Sequence, residues 1–176
     1  MPTVTELIND IHYRHTELIA GVPRPMLHLP MGRAQGMAVA FLSMFVGSYV
    51  LEHGLGVCYA TNTGFHLKEK RASTVKAPDF SFVTRRKITY PKGIGFIPVA
   101  PDLVVETGQN ETLSAKIAEW MHFGVRHILD LDAKKQIITV HRPNIAPIAL
   151  TLTDTFTAED ILPGFALPLT KVFPDA

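Results

Sequence analysis

The sequence predicts one domain of the α/β (α+β) class, with a mixed β-sheet flanked by helices. Strand-like segments precede and follow one long apolar helical segment, and pairs of short strands at both ends of the chain suggest hairpins. The 176 residues are 47% hydrophobic and 19% charged, the balance of a compact folded protein. We therefore expect residues 1–176 to form a single domain, without an internal repeat or a linker.

Apolar spacing predicts the individual elements. Apolar residues at helical spacing predict helices, and period-two alternation or short apolar runs bounded by Gly, Pro or Asn predict strands. The predicted helices cover residues 4–11, 33–52 and 111–123. The predicted strands cover residues 16–20, 26–29, 56–61, 64–67, 79–84, 103–107, 126–131, 136–142 and 148–152, and a short helical turn is predicted in the Pro-rich tail at 160–169.

The long helix has two readings. Residues 34–51 carry no formal charge, and the length of this run approaches that needed to span a bilayer. The run nevertheless contains Gln35 and Ser43, is followed directly by Glu52 and His53, and has no basic cluster near its end. These features favour a buried core helix, so we expect no membrane partner.

The redox and targeting signals indicate an intracellular protein. Cys58 is the single cysteine and has no intramolecular partner for a disulfide. Glu6 and Asp10 occupy the region where an export signal would need a basic flank and an apolar run. We expect a cytoplasmic location.

Positive charge is concentrated in one segment, although the net charge is only +1. Residues 68–92 contain eight basic and two acidic residues, a local net charge of +6. Arg85, Arg86 and Lys87 form its densest part, and such a patch can bind phosphates. A solvated, positively charged loop region is the alternative interpretation, and both stay open.

Two segments share a local pattern with a carboxylate at the start of an apolar strand. They are Ala77-Pro-Asp79-Phe-Ser-Phe-Val83 and Ala100-Pro-Asp102-Leu-Val-Val-Glu106. If the two strands are neighbours, Asp79 and Glu106 could converge on a hard cation such as Mg²⁺ or Mn²⁺, with the backbone carbonyl of Thr107 as a further ligand. The alternative is that each aspartate caps a Pro-led turn and that Glu106 forms an ion pair.

Lys116 is a candidate catalytic residue because it lies within the apolar stripe of the third predicted helix. That stripe contains Leu113, Ile117, Trp120 and Met121. A lysine in this position points toward the sheet, where it could orient an attacking water or stabilise developing negative charge. The alternative is a lysine at the edge of the stripe that extends to solvent.

Several segments, taken together and in order, resemble the bacterial Uma family of predicted restriction endonucleases, which belongs to the PD-(D/E)xK nuclease-like superfamily. The segments are Thr16-Glu-Leu-Ile-Ala-Gly21, Leu51-Glu-His-Gly-Leu-Gly56, Ala77-Pro-Asp-Phe-Ser-Phe-Val83, Pro98-Val-Ala-Pro-Asp-Leu-Val-Val-Glu106, Lys116-Ile-Ala-Glu-Trp-Met-His-Phe-Gly-Val125 and Leu162-Pro-Gly-Phe-Ala-Leu-Pro-Leu169. The resemblance implies a restriction-endonuclease-like fold and a metal-dependent nuclease site.

The resemblance also implies roles for individual residues. Asp79 corresponds to the aspartate of the motif, Glu106 to its second acid, and Lys116 to the family's lysine on the following helix. Gln35 and Glu17 are accessory candidates. Gln35 stands where the family often has a histidine.

The chain departs from the family pattern directly after the second acid. Gly108 occupies the strand position where the motif calls for lysine, and Thr107-Gly-Gln-Asn-Glu111 replaces a Ser-Pro-Ser-like turn. The intact carboxylates favour an Mg²⁺-dependent endonuclease that cleaves DNA, with a homodimer as the expected assembly for cutting both strands. The altered turn favours the alternative, a catalytically inactive nuclease-fold protein that binds nucleic acid or a protein partner.

Overall fold

The computed structural model describes residues 3–13, 16–26, 31–68, 72–90, 93, 95–108 and 111–174. The helices are α1 (Val4–Asn9), α2 (Arg33–Glu52) and α3 (Glu111–His122). The strands are β1 (Thr16–Ile19), β2 (Val22–Pro25), β3 (Gly56–Ala60), β4 (Phe65–Lys68), β5 (Ser73–Lys76), β6 (Phe80–Thr84), β7 (Leu103–Glu106), β8 (His127–Asp132), β9 (Ile137–Arg142), β10 (Ile145–Leu150), β11 (Thr155–Ala158) and β12 (Leu162–Pro168).

The predicted mixed sheet is confirmed. Six strands pair in the order β10-β9-β8-β7-β6-β3, and β7 and β8 are its parallel pair while the other neighbours are antiparallel. Helix α3 connects the two parallel strands, as a crossover between parallel strands requires. A four-stranded sheet, β2-β1-β5-β4, and the β11–β12 hairpin lie beside this central sheet.

Helix α2 covers one face of the six-stranded sheet. Ala38, Leu42, Val46 and Val50 recur at helical spacing and are almost completely buried in the core that this face forms. By length and composition alone α2 could also span a bilayer. The burial of this stripe supports packing of α2 on the sheet, whereas Met44 and Leu51, outside the stripe, are exposed.

Helix α3 covers the opposite face. Ile117 and Trp120 pack against Val104 of β7 and Ile128 of β8 in a second core. Because side chains alternate along a strand, Val104 and Glu106 share this face, while Leu103 and Val105 point toward α2. The sheet therefore directs Glu106 beneath α3.

A reciprocal pair of aspartate–threonine contacts holds β6 and β7 together at both ends. Asp79, directly before β6, accepts hydrogen bonds on Oδ2 from the backbone N–H (2.7 Å) and the hydroxyl (2.6 Å) of Thr107, directly after β7. Asp102, directly before β7, accepts the equivalent bonds from Thr84 at the end of β6 (2.8 and 2.7 Å). The two Ala-Pro-Asp segments thus play matching structural roles in an antiparallel pair.

The structure differs from the predicted local elements in three places. Strand β2 lies at Val22–Pro25, where no strand was predicted. The strand predicted at 26–29 falls mostly on residues 27–30, which lie outside the described part of the chain. The two prolines of β2 are tolerated because β2 is an edge strand, where a missing amide donor leaves no ladder bond unmade. Strands β5 and β11 were not predicted.

The tail was the third error. The helical turn expected at 160–169 is mostly strand β12, which pairs with β11 through a β-bulge, and only Leu169–Lys171 form a 3-10 turn. The strand forms because Leu162, Phe165 and Leu167 insert into the core beneath α2.

The ionised carboxylate of Asp102 is expected to stabilise the fold through its contacts with Lys87 and Arg126. Burial by itself would raise the pKa of Asp102, but hydrogen bonds from Thr84, Lys87 and Arg126 outweigh burial and lower its pKa. We expect Asp102→Asn to lower the free energy of unfolding at pH 7 by about 3 kcal/mol, because the half-buried cations Lys87 and Arg126 lose a fully buried anion. Urea unfolding measures this loss.

The lowered pKa of Asp102 also predicts how its stabilising effect changes with pH. The stabilisation by ionised Asp102 is present above the pKa of an unfolded aspartate and is lost as the pH falls through the lowered native pKa. The variant should lack that acid-dependent component. Glu52→Gln, at the exposed end of α2, is the control and should change stability by about 0.5 kcal/mol or less. An equal effect of the two substitutions would contradict the prediction.

Candidate active site

Asp79 and Glu106 lie opposite each other on neighbouring strands. The register pairs Phe80 with Val105, and the N–H of Asp79 donates to the carbonyl of Val105 (3.0 Å), which puts Asp79 across from Glu106. Directly opposite residues of an antiparallel pair share a face, with Cβ atoms about 5 Å apart. Both side chains are buried, with exposed fractions of 4% and 2%. The two carboxylates are near enough for the charge of Asp79 to raise the pKa of Glu106, and their convergence on one cation stays a prediction.

Both oxygens of Glu106 are held by helix α3. Lys116 Nζ donates to Oε2 (3.1 Å), and the indole N–H of Trp120 donates to Oε1 (2.6 Å). Burial raises the pKa of Glu106; the Lys116 charge and the Trp120 hydrogen bond oppose this rise, and the charge of Asp79 adds to it. Glu106 is thus a buried acid whose carboxylate is stabilised by two donors one helical turn apart.

Lys116 points toward the sheet, as its place in the apolar stripe predicted. Burial alone would lower the pKa of its ammonium, but the charges of Glu106, Glu17 and Asp79 reverse the effect and raise it. Lys116 is therefore protonated at neutral pH. The ion pair with Glu106 is also the contact that the alternative interpretation expected for Glu106.

Glu17 lies in the same neighbourhood. It is buried on β1, its Oε1 accepts the backbone N–H of Ala77 (3.0 Å), and its charge acts on Lys116. The contact with Ala77 fixes the segment that leads into Asp79. The four-stranded sheet thereby brings one accessory candidate to the opposed carboxylates.

Three further residues near the carboxylates were not identified as site residues from the sequence. Lys76 on β5 is fully buried, forms an ion pair with Glu119 of α3, and its ammonium lies 5.2 Å from the centre of the Trp120 ring. Trp120 was assigned to the apolar stripe, and a tryptophan there is ordinarily core. The i, i+3, i+4 spacing of Lys116, Glu119 and Trp120 is the signal that could have identified them as one polar face.

Gln35 lies at the same edge of the sheet but on the side of α2. It lines a cavity of about 330 Å³ together with Gly32, Arg33, Ala34, Gly108, Leu131, Ala133 and Lys134. Gly108 follows Glu106 by two residues, so the cavity opens beside the end of β7. No hydrogen bond or ion pair of the described residues connects Gln35 to Asp79 or Glu106.

The basic residues predicted to bind phosphate lie at the opposite end of β6. Arg85–Lys87 form a 3-10 turn after Thr84, roughly 20 Å along the strand from Asp79. Arg85 and Arg86 are exposed, whereas Lys87 pairs with buried Asp102 (2.9 Å) and donates to the carbonyl of Ala100. The structure therefore does not bring these residues to the carboxylate pair.

The positive segment is also less uniform than its sequence indicated. Lys76 faces the core instead of solvent, while Lys68 is exposed. Residues 70, 71 and 92 lie outside the described part of the chain. The described basic residues of this segment consequently do not form one continuous charged surface.

The donor chemistry near Asp79 fits a hard divalent cation. The two contacts of Asp79 with Thr107 use Oδ2, so neither of them occupies Oδ1. Within the described ranges no group of three or more His, Cys, Asp or Glu side chains is arranged to hold a metal ion. Two carboxylates are still a sufficient protein contribution for Mg²⁺, which usually retains several waters. The N–H and hydroxyl of Thr107 contact Asp79, and a role for its carbonyl stays a prediction.

Comparisons with known proteins agree with this architecture. A solved structure of a putative nuclease belonging to DUF820, from Anabaena variabilis ATCC 29413, is similar with a TM-score of 0.78 and 15% sequence identity, over 98% of both chains. This likeness shows a shared restriction-endonuclease-like fold. The search among curated proteins found no match to this chain.

The sequence profile of a family decides the assignment. The Uma2 family, described as "Putative restriction endonuclease", matches residues 7–170, which include Asp79, Glu106 and Lys116. The match spans most of the chain and agrees with the resemblance seen in the separate segments. The chain therefore belongs to the Uma2 family, and this membership supports a nuclease function.

Proposed function

We propose that this protein is an Mg²⁺-dependent endonuclease that hydrolyses DNA phosphodiester bonds. The observation that carries the proposal is the buried pair Asp79 and Glu106 on adjacent strands, with Lys116 on the same face. Membership of the Uma2 family supports a nuclease function. The DNA substrate and the Mg²⁺ requirement are parts of the proposal.

Asp79 and Glu106 would hold the cation, with Mn²⁺ as a substitute and the Thr107 carbonyl as a third ligand. Six charged side chains around Lys116 and Trp120 contact or interact electrostatically with one another, and four of them are acidic and two basic. They are Glu17, Asp79, Glu106, Glu119, Lys76 and Lys116, with a formal net charge of −2. A divalent cation would neutralise that excess. When bound, Mg²⁺ polarises a phosphodiester and lowers the pKa of an attacking water.

Lys116 supplies the fixed positive charge of the proposed site. Its raised pKa keeps it protonated at neutral pH, so it would stabilise negative charge that develops on the phosphate and orient the attacking water. Glu17 holds the backbone of Ala77 and thereby the approach to Asp79. The exposed guanidinium groups of Arg85 and Arg86 would bind DNA phosphates distant from the bond that is cut.

A second candidate function is a binding module that has lost catalysis. The observation that favours it is that Lys116 and Trp120 already satisfy both oxygens of Glu106. A carboxylate neutralised in this way is stable without a metal.

For the catalytic function we propose a homodimer in the cytoplasm, because two sites are needed to cut both strands of a duplex.

Charge-removing substitutions test the metal site. Asp79→Asn keeps an oxygen that can accept the Thr107 hydrogen bonds but removes the charge. Glu106→Gln also removes the charge, and its one amide oxygen can accept from Lys116 or from Trp120 but not from both. We expect each to abolish Mg²⁺ binding in calorimetry and to lower plasmid nicking by about 100-fold or more, since both depend on the carboxylate charge. Glu52→Gln, at the exposed end of α2, is the control.

The same measurements separate the two candidate functions. Mg²⁺ binding and nicking that disappear together in both variants support the metal nuclease. A wild-type protein that binds neither Mg²⁺ nor Mn²⁺ but retains DNA affinity would establish the binding module instead.

Removing Lys116 should destabilise the protein in a pH-dependent way. Lys116→Met leaves Glu106 buried without its ammonium, so we expect a loss of about 3 kcal/mol at pH 8, measured by urea unfolding. The loss should be smaller at pH 5. The reason is that the folded variant binds the Glu106 proton more tightly than the unfolded chain, so its stability falls as the pH rises.

Lys135→Met is a matched control for this substitution. Lys135 and Asp132 have the same 3.1 Å separation as Lys116 and Glu106, but the Lys135 side chain is 72% exposed. Its loss should cost about 0.5 kcal/mol or less. Equal effects of the two substitutions would show that burial does not strengthen the Lys116–Glu106 pair.

Salt dependence tests the phosphate-binding arginines. If Arg85 and Arg86 each contact one phosphate, the double substitution to Ala should weaken duplex DNA binding and reduce the slope of log affinity against log salt by about 2. Arg24→Ala with Lys135→Ala removes the same charge from other exposed positions and should leave the slope almost unchanged. An unaltered slope in the Arg85 and Arg86 variant would assign these residues to a solvated loop.

A further inference from the structure

The side chain of Trp120 is placed to control the carboxylate of Glu106. Its indole N–H donates to Oε1 (2.6 Å), while Lys116, one turn earlier on α3, donates to Oε2 (3.1 Å). The two oxygens are therefore distinguished by the protein. One contacts a fixed neutral donor, and the other contacts a charged side chain that is 28% exposed.

The indole ring is itself held on several sides. It is fully buried, and Phe65 packs against it edge-on with a centroid separation of 6.3 Å. On another side, the ammonium of Lys76 lies 5.2 Å from the ring centre and is paired with Glu119. Lys76 precedes Asp79 by three residues, so the ring contacts the segment that leads to one carboxylate and donates to the other.

We propose that Trp120 is a positioning residue that orients Glu106 for divalent cation binding by fixing Oε1, so that Oε2 is the oxygen presented to the cation. This inference rests on the proposed metal site at Asp79 and Glu106. Partners that hydrogen-bond to a metal-binding carboxylate orient it, and their loss typically weakens metal affinity by about 10- to 100-fold. A role in packing alone would require only the ring and not its N–H group.

Removal of the N–H group separates these two roles. Trp120→Phe retains an aromatic ring for Phe65 and Lys76 but cannot donate to Glu106. We expect calorimetry to give Mg²⁺ binding about 10- to 100-fold weaker than in the wild type. Tyr59→Phe is the matched control, because it removes the Tyr59–Tyr90 hydroxyl contact (2.8 Å) within the same core and leaves Glu106 untouched. Its Mg²⁺ affinity should equal that of the wild type.

A second measurement requires no change at Trp120. The chain has one tryptophan, so a ¹⁵N-labelled sample gives one indole N–H resonance in a two-dimensional NMR spectrum. This resonance should shift in Glu106→Gln, and in the wild type it should move as Mg²⁺ is added. The Mg²⁺-induced shift should be absent in Asp79→Asn.

The outcomes distinguish this inference from the proposed function. Wild-type Mg²⁺ binding with weaker binding by Trp120→Phe and a responsive indole resonance would establish the positioning role. Equal affinities of the wild type and Trp120→Phe, or an indole resonance unmoved by saturating Mg²⁺, would overturn it and leave the metal site intact. A wild-type protein that binds neither Mg²⁺ nor Mn²⁺ would overturn both proposals.

Discussion

The antiparallel pairing of β6 with β7 is the constraint on which the rest of the site depends. Each strand begins with an aspartate that accepts two hydrogen bonds from a threonine at the end of the other strand. A shift of one residue in this register would break both contacts and would move the strands' apolar side chains to the wrong faces. The same register puts Asp79 across from Glu106, so the architecture of the sheet and the geometry of the carboxylates have one origin.

The two ends of this strand pair differ in how their buried charge is balanced. Arg126 and Lys87 both contact the oxygen Oδ1 of Asp102, and the guanidinium of Arg126 also reaches Asp160. At the other end, among the described residues, Asp79 accepts hydrogen bonds from neutral groups of Thr107, and Glu106 pairs with the ammonium of Lys116. Asp102 is therefore a structural ion-pair centre, while the end with Asp79 keeps an excess of negative charge.

Helix α3 packs in the hydrophobic core and also contacts the negatively charged side chains near Asp79 and Glu106. Ile117 and Trp120 bury apolar surface against the sheet, and Lys116, Glu119 and Trp120 reach polar partners from the same side of the helix. The packing of α3 on the sheet and the polar contacts of its side chains therefore depend on the same orientation of the helix. A rotation of α3 that exposed Trp120 would also remove two donors from Glu106, whose burial already raises its pKa.

Hydrophobic periodicity and the positions of Gly, Pro and Asn were sufficient to predict most of the helices and strands. The bounds of α2 follow from an uninterrupted apolar stripe, and alternation along β7 puts Val104 and Glu106 on one face of the strand. The errors arose where packing overrides a local signal. Pro163 and Pro168 suggested a turn, yet β12 is a strand because its alternate apolar side chains enter the core.

The sequence by itself determined the residue types, the faces of the strands and helices on which Asp79, Glu106 and Lys116 lie, and the resemblance to a nuclease family. Only the tertiary structure decided which charges meet. Strand order and register are non-local, so the pairing of Lys76 with Glu119 and the indole contact on Glu106 could not be predicted from spacing. The separation of Arg85 from Asp79, by contrast, follows from the length of the strand between them. A local pattern restricts the direction of a side chain, but only packing over the whole chain chooses its partner.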